Sequence, residues 1–195
     1  MLIGIDASRA IRARRTGTEN YALHLIRGLL ALGRGHRYRL YFNRPPSPEL
    51  FTPGPHWQAR TIPCPRLWTH VRLSWEMARR APEVLFVPAH VLPIIHPRRS
   101  VVTVHDLGYR HYPAAHPPLD RLYLDLSTRY HVHAATHILA DSQATRDDLL
   151  REYGADSTSI TVVYPGMDES LRRVDDLAAV AATRAKYGIS GEYVL

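Results

Sequence analysis

The sequence of 195 residues holds one cysteine and one lysine, and it has no long apolar run. The single Cys64 excludes an internal disulfide and a cysteine-rich zinc site, as is typical of a reducing compartment. No stretch approaches the roughly 20 apolar residues of a membrane-spanning helix. The amino-terminal residues also lack the basic leader and apolar segment of a signal peptide. We therefore expect a cytoplasmic globular chain, long enough for one full domain with or without the remnant of a second.

Several chemical motifs are missing as well. Neither G-x-G-x-x-G nor G-x-x-x-x-G-K-[ST] is present, so no dinucleotide fingerprint or Walker loop is indicated, and no G-x-S-x-G elbow suggests a serine hydrolase. Histidines are frequent between positions 111 and 137, but their spacing does not suit a metal. His131 and His133 would point to different sides of a helix, and the pair His133 and His137 straddles a predicted helix end. We expect no metal.

The net charge of +7 and the pI near 9.8 suggest an anionic partner: a phosphorylated small molecule, an acidic lipid surface or a nucleic acid. Almost all the cations are arginines, with Lys186 the one lysine, and they are spread along the chain. A distributed, solvated surface is therefore favoured over a nucleic-acid face.

The central feature is the stretch V-V-T-V-H-D at residues 101–106. A short apolar run that ends in polar groups is typical of a buried parallel strand delivering them to the carboxyl edge of a sheet, where open α/β sheets bind ligands. A histidine and an aspartate after a strand can also simply cap or turn the chain. Both interpretations of His105 and Asp106 stay open from the residues alone.

Strand-like and helix-like segments alternate along the chain. This alternation predicts an α/β fold, a doubly wound, Rossmann-like parallel sheet with helices on both faces. The predicted strands are residues 1–6, 38–42, 58–62, 83–88, 101–106, 136–140, 159–164 and 192–195. The predicted helices are residues 21–32, 66–80, 119–135, 142–153 and 175–187, and residues 10–20 and 108–118 are predicted loops.

Two of these segments have an alternative interpretation. Residues 66–80 form a basic amphipathic helix, which favours core packing but would also suit a peripheral membrane enzyme. Gly17 lies between the first predicted strand and its helix, where a missing Cβ lets backbone N–H groups approach a phosphate; a plain turn glycine is the simpler interpretation. The other polar groups expected at the sheet edge are Asp6, His90, Asp141, Ser142 and the pair Pro165-Gly166.

Four motifs occur in order: T-G-T-E-N-Y-A at residues 16–22, V-V-T-V-H-D-L at 101–107, A-D-S-Q-A-T-R-D-D-L at 140–149 and I-T-V-V-Y-P-G-M-D at 160–168. Together they resemble the amino-terminal domain of the family-4, GT-B-fold retaining glycosyltransferases, and the likeness covers almost the whole chain. In that family two Rossmann-like domains face each other across a cleft. The amino-terminal domain mainly binds the acceptor, and the carboxyl-terminal domain holds the nucleotide-sugar.

The resemblance implies roles for individual residues. Gly17 and Thr18 would lie where the backbone approaches the donor diphosphate, and Ser142 and Thr145 would occupy the strand-to-helix turn that faces the cleft. His105 would contact the transferred sugar and stabilise the transition state, with Asp106 orienting the loop. Front-face attack, in which the leaving diphosphate takes the acceptor proton, requires no metal and no cofactor besides the nucleotide-sugar substrate.

The resemblance also implies a boundary and partners. We expect residues 1–170 to form the acceptor-binding domain and residues 171–195 to hold a linker helix and the first strand of a truncated donor-binding domain. The expected partners are that carboxyl-terminal domain, a nucleotide-sugar donor and a glycan or lipid-linked acceptor, with the membrane inner face as an alternative contact and no nucleic acid. Because the family's donor motifs lie in the second domain, we expect no sugar transfer by this chain alone. Two other functions stay open: a stand-alone nucleotide- or sugar-phosphate-binding module, and a basic nucleic-acid-binding protein.

Overall fold

The protein is built on a seven-stranded, all-parallel sheet. A computed structural model describes residues 1–33, 35–64, 66–89, 91–167 and 172–192. The strands lie in the order β3-β2-β1-β4-β5-β6-β7. Their bounds are β1 Leu2–Asp6, β2 Arg37–Phe42, β3 Trp57–Thr61, β4 Val84–Val87, β5 Ser100–Val104, β6 His137–Ala140 and β7 Ile160–Val162. Because parallel neighbours cannot be joined by a tight hairpin, each strand is followed by a crossover before the next.

Six α-helices were found in the described part of the chain. They are α1 Gly17–Leu32, α2 Ser74–Arg80, α3 Gly108–His111, α4 Pro118–Ala134, α5 Gln143–Tyr153 and α6 Leu177–Lys186. A π-helix, Trp68–Leu73, leads directly into α2, and short 3-10 turns cover Pro48–Leu50, Pro113–Ala115 and Ser157–Ser159. The prediction of a doubly wound α/β fold is confirmed.

Two apolar cores lie on opposite faces of the sheet, because side chains alternate along a strand. Leu85 and Val87 of β4 belong to the core that also holds residues of the π-helix, α2 and α5. Phe86, between them, belongs to the core that packs against α1. Burial of β4 on both faces explains why its sequence is an apolar run and not an alternating pattern.

The first helix begins earlier than predicted. The expected loop over residues 10–20 is wrong at its end, since α1 starts at Gly17. The Glu19 carboxylate accepts a hydrogen bond from the Thr16 backbone N–H at 3.1 Å and another from the Thr16 hydroxyl. A glutamate three residues after an N-cap threonine is a helix-start pattern that the apolar spacing alone does not show.

The predicted helix over residues 66–80 is irregular at its start. In a regular α-helix Trp68 and Trp75, seven residues apart, would share a face. The wider i→i+5 turns of the π-helix change that phase, so Trp68 is buried at 7% exposure and Trp75 is 52% exposed. The helix therefore has a core-packed face, as expected, and also leaves an aromatic residue outside.

Two other predicted segments differ in detail. The expected loop at residues 108–118 contains α3 and a 3-10 turn, and the expected strand at residues 159–164 is ordered as a strand only over β7. The chain divides into a unit Met1–Pro165, which holds the sheet, and a unit Gly166–Leu195, which holds α6. The predicted strand at 192–195 lies almost entirely outside the described residues. Among the described residues, none of the helices combines the length and the apolar character needed to cross a bilayer.

His131 on α4 is a buried, neutral histidine. Its Nε2 accepts a hydrogen bond from the Leu92 backbone N–H at 3.2 Å, and the residue is 6% exposed. Burial lowers the pKa of His131 from 6.5 to about 4. Between these two values the unfolded chain binds a proton that the folded chain excludes, so the free energy of unfolding falls as the pH drops from 6.5 toward 4.

We predict that His131→Gln removes this acid sensitivity. The introduced amide oxygen can still accept from Leu92 but does not titrate, so the variant should lose about 3 kcal/mol less stability than the parent between pH 7 and pH 4. Urea unfolding across that pH range measures the difference. His133→Gln, an exposed change on the same helix, should follow the parent. Equal pH slopes for the parent and the H131Q variant would contradict the prediction.

Candidate active site

Polar residues collect at the carboxyl edge of the sheet, around the point where the strand order reverses. That point lies between β1 and β4, since β2 follows on one side and β5 on the other. Open α/β sheets bind ligands in the crevice at such a switch point. Asp6 ends β1, Pro88 follows β4, His105 follows β5 and Asp141 follows β6. The candidate site is built on these ends.

His105 is clamped by two hydrogen-bond acceptors. Its Nδ1 bonds the Asp141 carboxylate, and its Nε2 lies 3.0 Å from the Pro88 backbone oxygen. A carboxylate and a carbonyl are both acceptors, so both ring nitrogens of His105 face hydrogen-bond acceptors of the protein. The His105 and Asp141 side chains are 21% and 14% exposed. The ring is thus held at the edge of the sheet, partly shielded from water.

Tyr21 of α1 packs against this histidine. The two ring centres lie 4.9 Å apart and the ring planes are perpendicular. The Tyr21 hydroxyl, the Thr103 hydroxyl and one Asp141 carboxylate oxygen are buried, and none has a hydrogen-bond partner among the described residues. Burial raises the pKa of Tyr21, and the nearby Asp141 carboxylate raises it further. Unsatisfied buried polar atoms are uncommon and cluster at functional sites.

Ser142 and Thr145 hold the loop that carries His105. Ser142 is the N-cap of α5, as predicted, and its hydroxyl accepts from the Thr145 backbone N–H at 3.1 Å. The Thr145 hydroxyl donates to the His105 backbone oxygen at 3.0 Å, and Thr145 is 4% exposed. These contacts give both residues a positioning role. The ligand-binding role expected for them stays a prediction.

Asp106 is turned away from the His105 ring. It is exposed, and its Oδ1 accepts from the Gly108 backbone N–H at 2.7 Å, which closes a tight turn at the start of α3. The carboxylate that bonds His105 is Asp141 and not the neighbour in sequence. This geometry agrees with a loop-orienting role for Asp106, and a direct catalytic role stays a prediction.

Gly17 and Thr18 form the first turn of α1. Backbone N–H groups in a first turn have no partner within the helix, and the helix dipole favours an anion there. Gly17 is exposed, and a Cβ built on it would meet no atom within 4 Å. The turn is therefore open to a ligand. Phosphate binding by these two residues stays a prediction.

Two residues named in the sequence analysis, His90 and Asp168 of the fourth motif, lie outside the described residues.

The histidines considered for a metal have separate partners: His111 bonds Asp148 at 2.6 Å and His137 bonds Thr161 at 2.8 Å. Within the described ranges no three His, Cys, Asp or Glu side chains converge as metal ligands.

Sequence reasoning did not identify Asp141 and Tyr21 as partners of His105. Asp141 follows β6 directly, and β6 pairs with β5 in parallel with Val104 opposite Ala140. The carboxyl ends of neighbouring parallel strands lie at the same edge of a sheet. Had the strand order been known, it would have placed Asp141 beside His105. Tyr21 was predicted as the first residue of a helix, and α1 begins four residues earlier, at Gly17.

The clamp determines what His105 can do chemically. With both ring nitrogens facing hydrogen-bond acceptors of the protein, neither is free to take a proton from a substrate. The ring is instead a polar group held in a fixed position at the edge of the site, which suits electrostatic stabilisation of developing charge. The arrangement therefore favours electrostatic assistance over general-base catalysis.

We predict that Thr145→Val destabilises the protein by about 1–2 kcal/mol, because it keeps the shape but leaves the buried His105 carbonyl without its donor. Urea unfolding measures the change. Thr161→Val removes a hydroxyl whose hydrogen bond is solvent-exposed and should change stability by less than about 0.5 kcal/mol. A Thr145→Val variant as stable as Thr161→Val would show that the hydroxyl does not hold the His105 loop.

Comparisons with known proteins agree with this geometry. The chain is 27% identical over 81 residues to the O-antigen chain mannosyltransferase RfbU of Salmonella typhimurium strain LT2, a match that covers 42% of this chain and 22% of that protein. Among solved structures, Anabaena Alr3699/HepE in complex with UDP-glucose matches with a TM-score of 0.62 and 14% identity, covering 96% of this chain and 49% of HepE.

WaaG, a glycosyltransferase involved in lipopolysaccharide biosynthesis, matches with a TM-score of 0.63 and 13% identity, covering 97% of this chain and 52% of WaaG. At such identities the structural likeness shows a shared fold. The chain spans about half the length of these structures. The sequence profile described as Glycosyltransferase Family 4 matches residues 15–171, which include the His105 clamp and the first turn of α1. The chain therefore belongs to Glycosyltransferase Family 4.

Proposed function

We propose that this chain is the amino-terminal, mainly acceptor-binding half of a retaining glycosyltransferase. The full enzyme transfers a hexose, of the mannose or glucose type, from a nucleotide-sugar to a glycan or lipid-linked acceptor. The observation that carries the proposal is the clamped His105 at the sheet's switch point, inside the family match. The names of the similar proteins support it, since one is a mannosyltransferase and another was crystallised with UDP-glucose.

In this proposal the chain contributes charge and position. The His105 ring lies beneath the transferred sugar and stabilises the transition state as charge moves onto the leaving diphosphate. The first turn of α1, with Gly17 and Thr18, directs backbone N–H groups toward that diphosphate. The leaving group takes the acceptor proton, which agrees with a histidine whose two ring nitrogens both face acceptors of the protein. No metal and no further cofactor enters the reaction.

A carboxyl-terminal donor-binding domain of the same protein completes the enzyme in this proposal. The comparisons with solved structures support a second domain, since the chain spans about half the length of HepE and of WaaG. The first unit, Met1–Pro165, forms one wall of the cleft. A sheet edge with positive charge but no second wall binds a nucleotide-sugar weakly, because the donor's other contacts are missing.

We predict that the chain alone transfers no sugar, whereas a longer protein that joins it to the proposed donor-binding domain does. Purified proteins are incubated with radiolabelled UDP- and GDP-sugars and a glycan or lipid-linked acceptor mixture, and NMR of the product reports the anomeric configuration. Retained configuration is expected. Turnover by the 195-residue chain, or an inverted product from the longer protein, would contradict the proposal.

We also propose that the protein docks on the inner face of the membrane through an apolar groove. The groove, of about 630 Å³, is lined by Val71, Trp75 and Ile95 together with His70, Arg72 and Ser74. Val71, Trp75 and Ile95 are 58%, 52% and 47% exposed. The Arg79 guanidinium lies 4.2 Å from the centre of a Trp75 ring. An exposed tryptophan with arginines around it suits the interface of an anionic bilayer.

We predict that Trp75→Ala weakens binding to vesicles of phosphatidylglycerol and phosphatidylethanolamine roughly tenfold, because about 1–2 kcal/mol of apolar burial is lost. Co-sedimentation measures the bound fraction, and added salt should weaken binding further. Leu32→Asp, at a residue 59% exposed at the end of α1, is the control and should bind as the parent does. Equal binding by Trp75→Ala and the parent would rule out the groove as the docking surface.

A further inference from the structure

Two adjoining cavities open at the carboxyl edge of the sheet, beside the ends of β1 and β2. Ser8, Arg12 and Asn43 line both of them. The first has a volume of about 230 Å³ and is bordered by Trp68 and Tyr123. The second has a volume of about 400 Å³. Because the two cavities share three residues, one ligand can reach into both.

The first cavity has the character of a sugar-binding pocket. The Trp68 ring is buried, and its N–H donates to the Ile62 backbone oxygen at 2.7 Å, so it forms a fixed wall. The Tyr123 hydroxyl lies 3.1 Å from Nε2 of His70, which orients the tyrosine. Rigid aromatic faces with a few placed polar groups are what small polar ligands need.

The second cavity is bordered by guanidinium groups, which we call the arginine shelf. It is lined by Arg12, Arg14 and Arg44, and no aspartate or glutamate lines either cavity. Arg14 makes no ion pair with any described residue. Arg44 donates Nη2 to the Ile11 backbone oxygen at 3.0 Å, which leaves most of its five donors available. The cavity therefore offers guanidinium donors that are free to bind an anion.

The nearby carboxyl groups do not neutralise this charge. Glu19 is 6% exposed and lies 3.4 Å from Arg9 and 4.0 Å from Arg12. Asp6 is 2% exposed and its Oδ1 accepts from the Ser8 backbone N–H at 2.9 Å. Burial raises the pKa of Asp6, with Ser8 and Arg9 partly opposing the shift. Glu19 is thus engaged by Arg9 and Arg12, while Arg14 and Arg44 have no carboxylate partner among the described residues.

Asn43 supplies one further polar atom between the two cavities. It lines both, and its side-chain oxygen is buried without a hydrogen-bond partner among the described residues. An amide at this position can accept from a sugar hydroxyl and donate to an anionic oxygen. It thus joins the polar pocket to the arginine shelf.

We infer that the two cavities form one acceptor site for an anionic sugar, whose ring occupies the first cavity and whose phosphate or carboxylate rests on Arg12, Arg14 and Arg44. The planar guanidinium matches both kinds of anion with paired hydrogen bonds. The inference rests on the proposed function only in naming the ligand an acceptor. Binding to the cavities can be measured without any sugar transfer.

The test is a set of calorimetric titrations of the 195-residue chain with mannose, mannose 6-phosphate, glucuronate and inorganic phosphate. Mannose 6-phosphate or glucuronate should bind at least about tenfold more tightly than mannose, by the contribution of a charge-assisted pair. The tighter of the two identifies the substituent as a phosphate or a carboxylate. Inorganic phosphate should compete with the charged sugar and not with mannose.

The variants test whether sugar binding depends on Arg12, Arg14 and Arg44 in particular or only on the net positive charge of the protein. The double change Arg14→Gln and Arg44→Gln should reduce the affinity for the charged sugar to that for mannose. Tyr123→Phe should lower the affinity for both the charged sugar and mannose. Arg37→Gln is the control, because Arg37 begins β2 at the opposite edge of the sheet and its loss changes the net charge alone.

The inference is overturned if mannose and the charged sugars bind equally, if none of them binds at millimolar concentration, or if the Arg14 and Arg44 changes act no more strongly than Arg37→Gln. These outcomes are independent of the proposed function. A chain that binds charged sugars while the longer protein transfers none would overturn only the glycosyltransferase proposal. Transfer by the longer protein to neutral sugars alone would overturn only the inference that the acceptor is anionic.

Discussion

The His105 ring, held between the Asp141 carboxylate and the Pro88 carbonyl, is the contact on which the candidate site depends. It ties together the ends of β4, β5 and β6, because each of the three groups follows a different strand. The Thr145 hydroxyl fixes the same loop from α5. A partly shielded imidazole is therefore presented from a rigid sheet edge and not from a mobile loop, which is what electrostatic preorganisation needs.

The sheet explains why this contact can form. Strands buried on both faces place most of their apolar residues in two cores, so polar groups concentrate at and beyond the carboxyl ends of the strands. In β5 the buried run ends at Val104, and His105 is the next residue. The order of the strands places β4 and β6 on either side of β5. Local sequence creates the polar edge, and the topology decides which polar groups meet.

Most of the fold could be predicted from the sequence, because buried parallel strands have an unmistakable apolar pattern. All seven strands of the sheet were expected, and the Ser142 cap and the Gly154 end of α5 were found where their residue types indicated. The pairing of His105 with Asp141 could not be predicted, since it depends on the strand order and not on nearness in sequence. The π-helix was also missed, because an i→i+5 turn leaves no distinct residue pattern.

The role of the His105 ring is tested most directly by sugar transfer in a protein that joins this chain to the proposed donor-binding half. His105→Ala should lower kcat by about 100-fold or more, the scale seen when one preorganised electrostatic group is removed, while KM for the acceptor stays within a few fold. His111→Ala, at an exposed histidine that pairs with Asp148, should leave kcat unchanged. A His105→Ala enzyme with the parent's kcat would contradict the central role given to this ring.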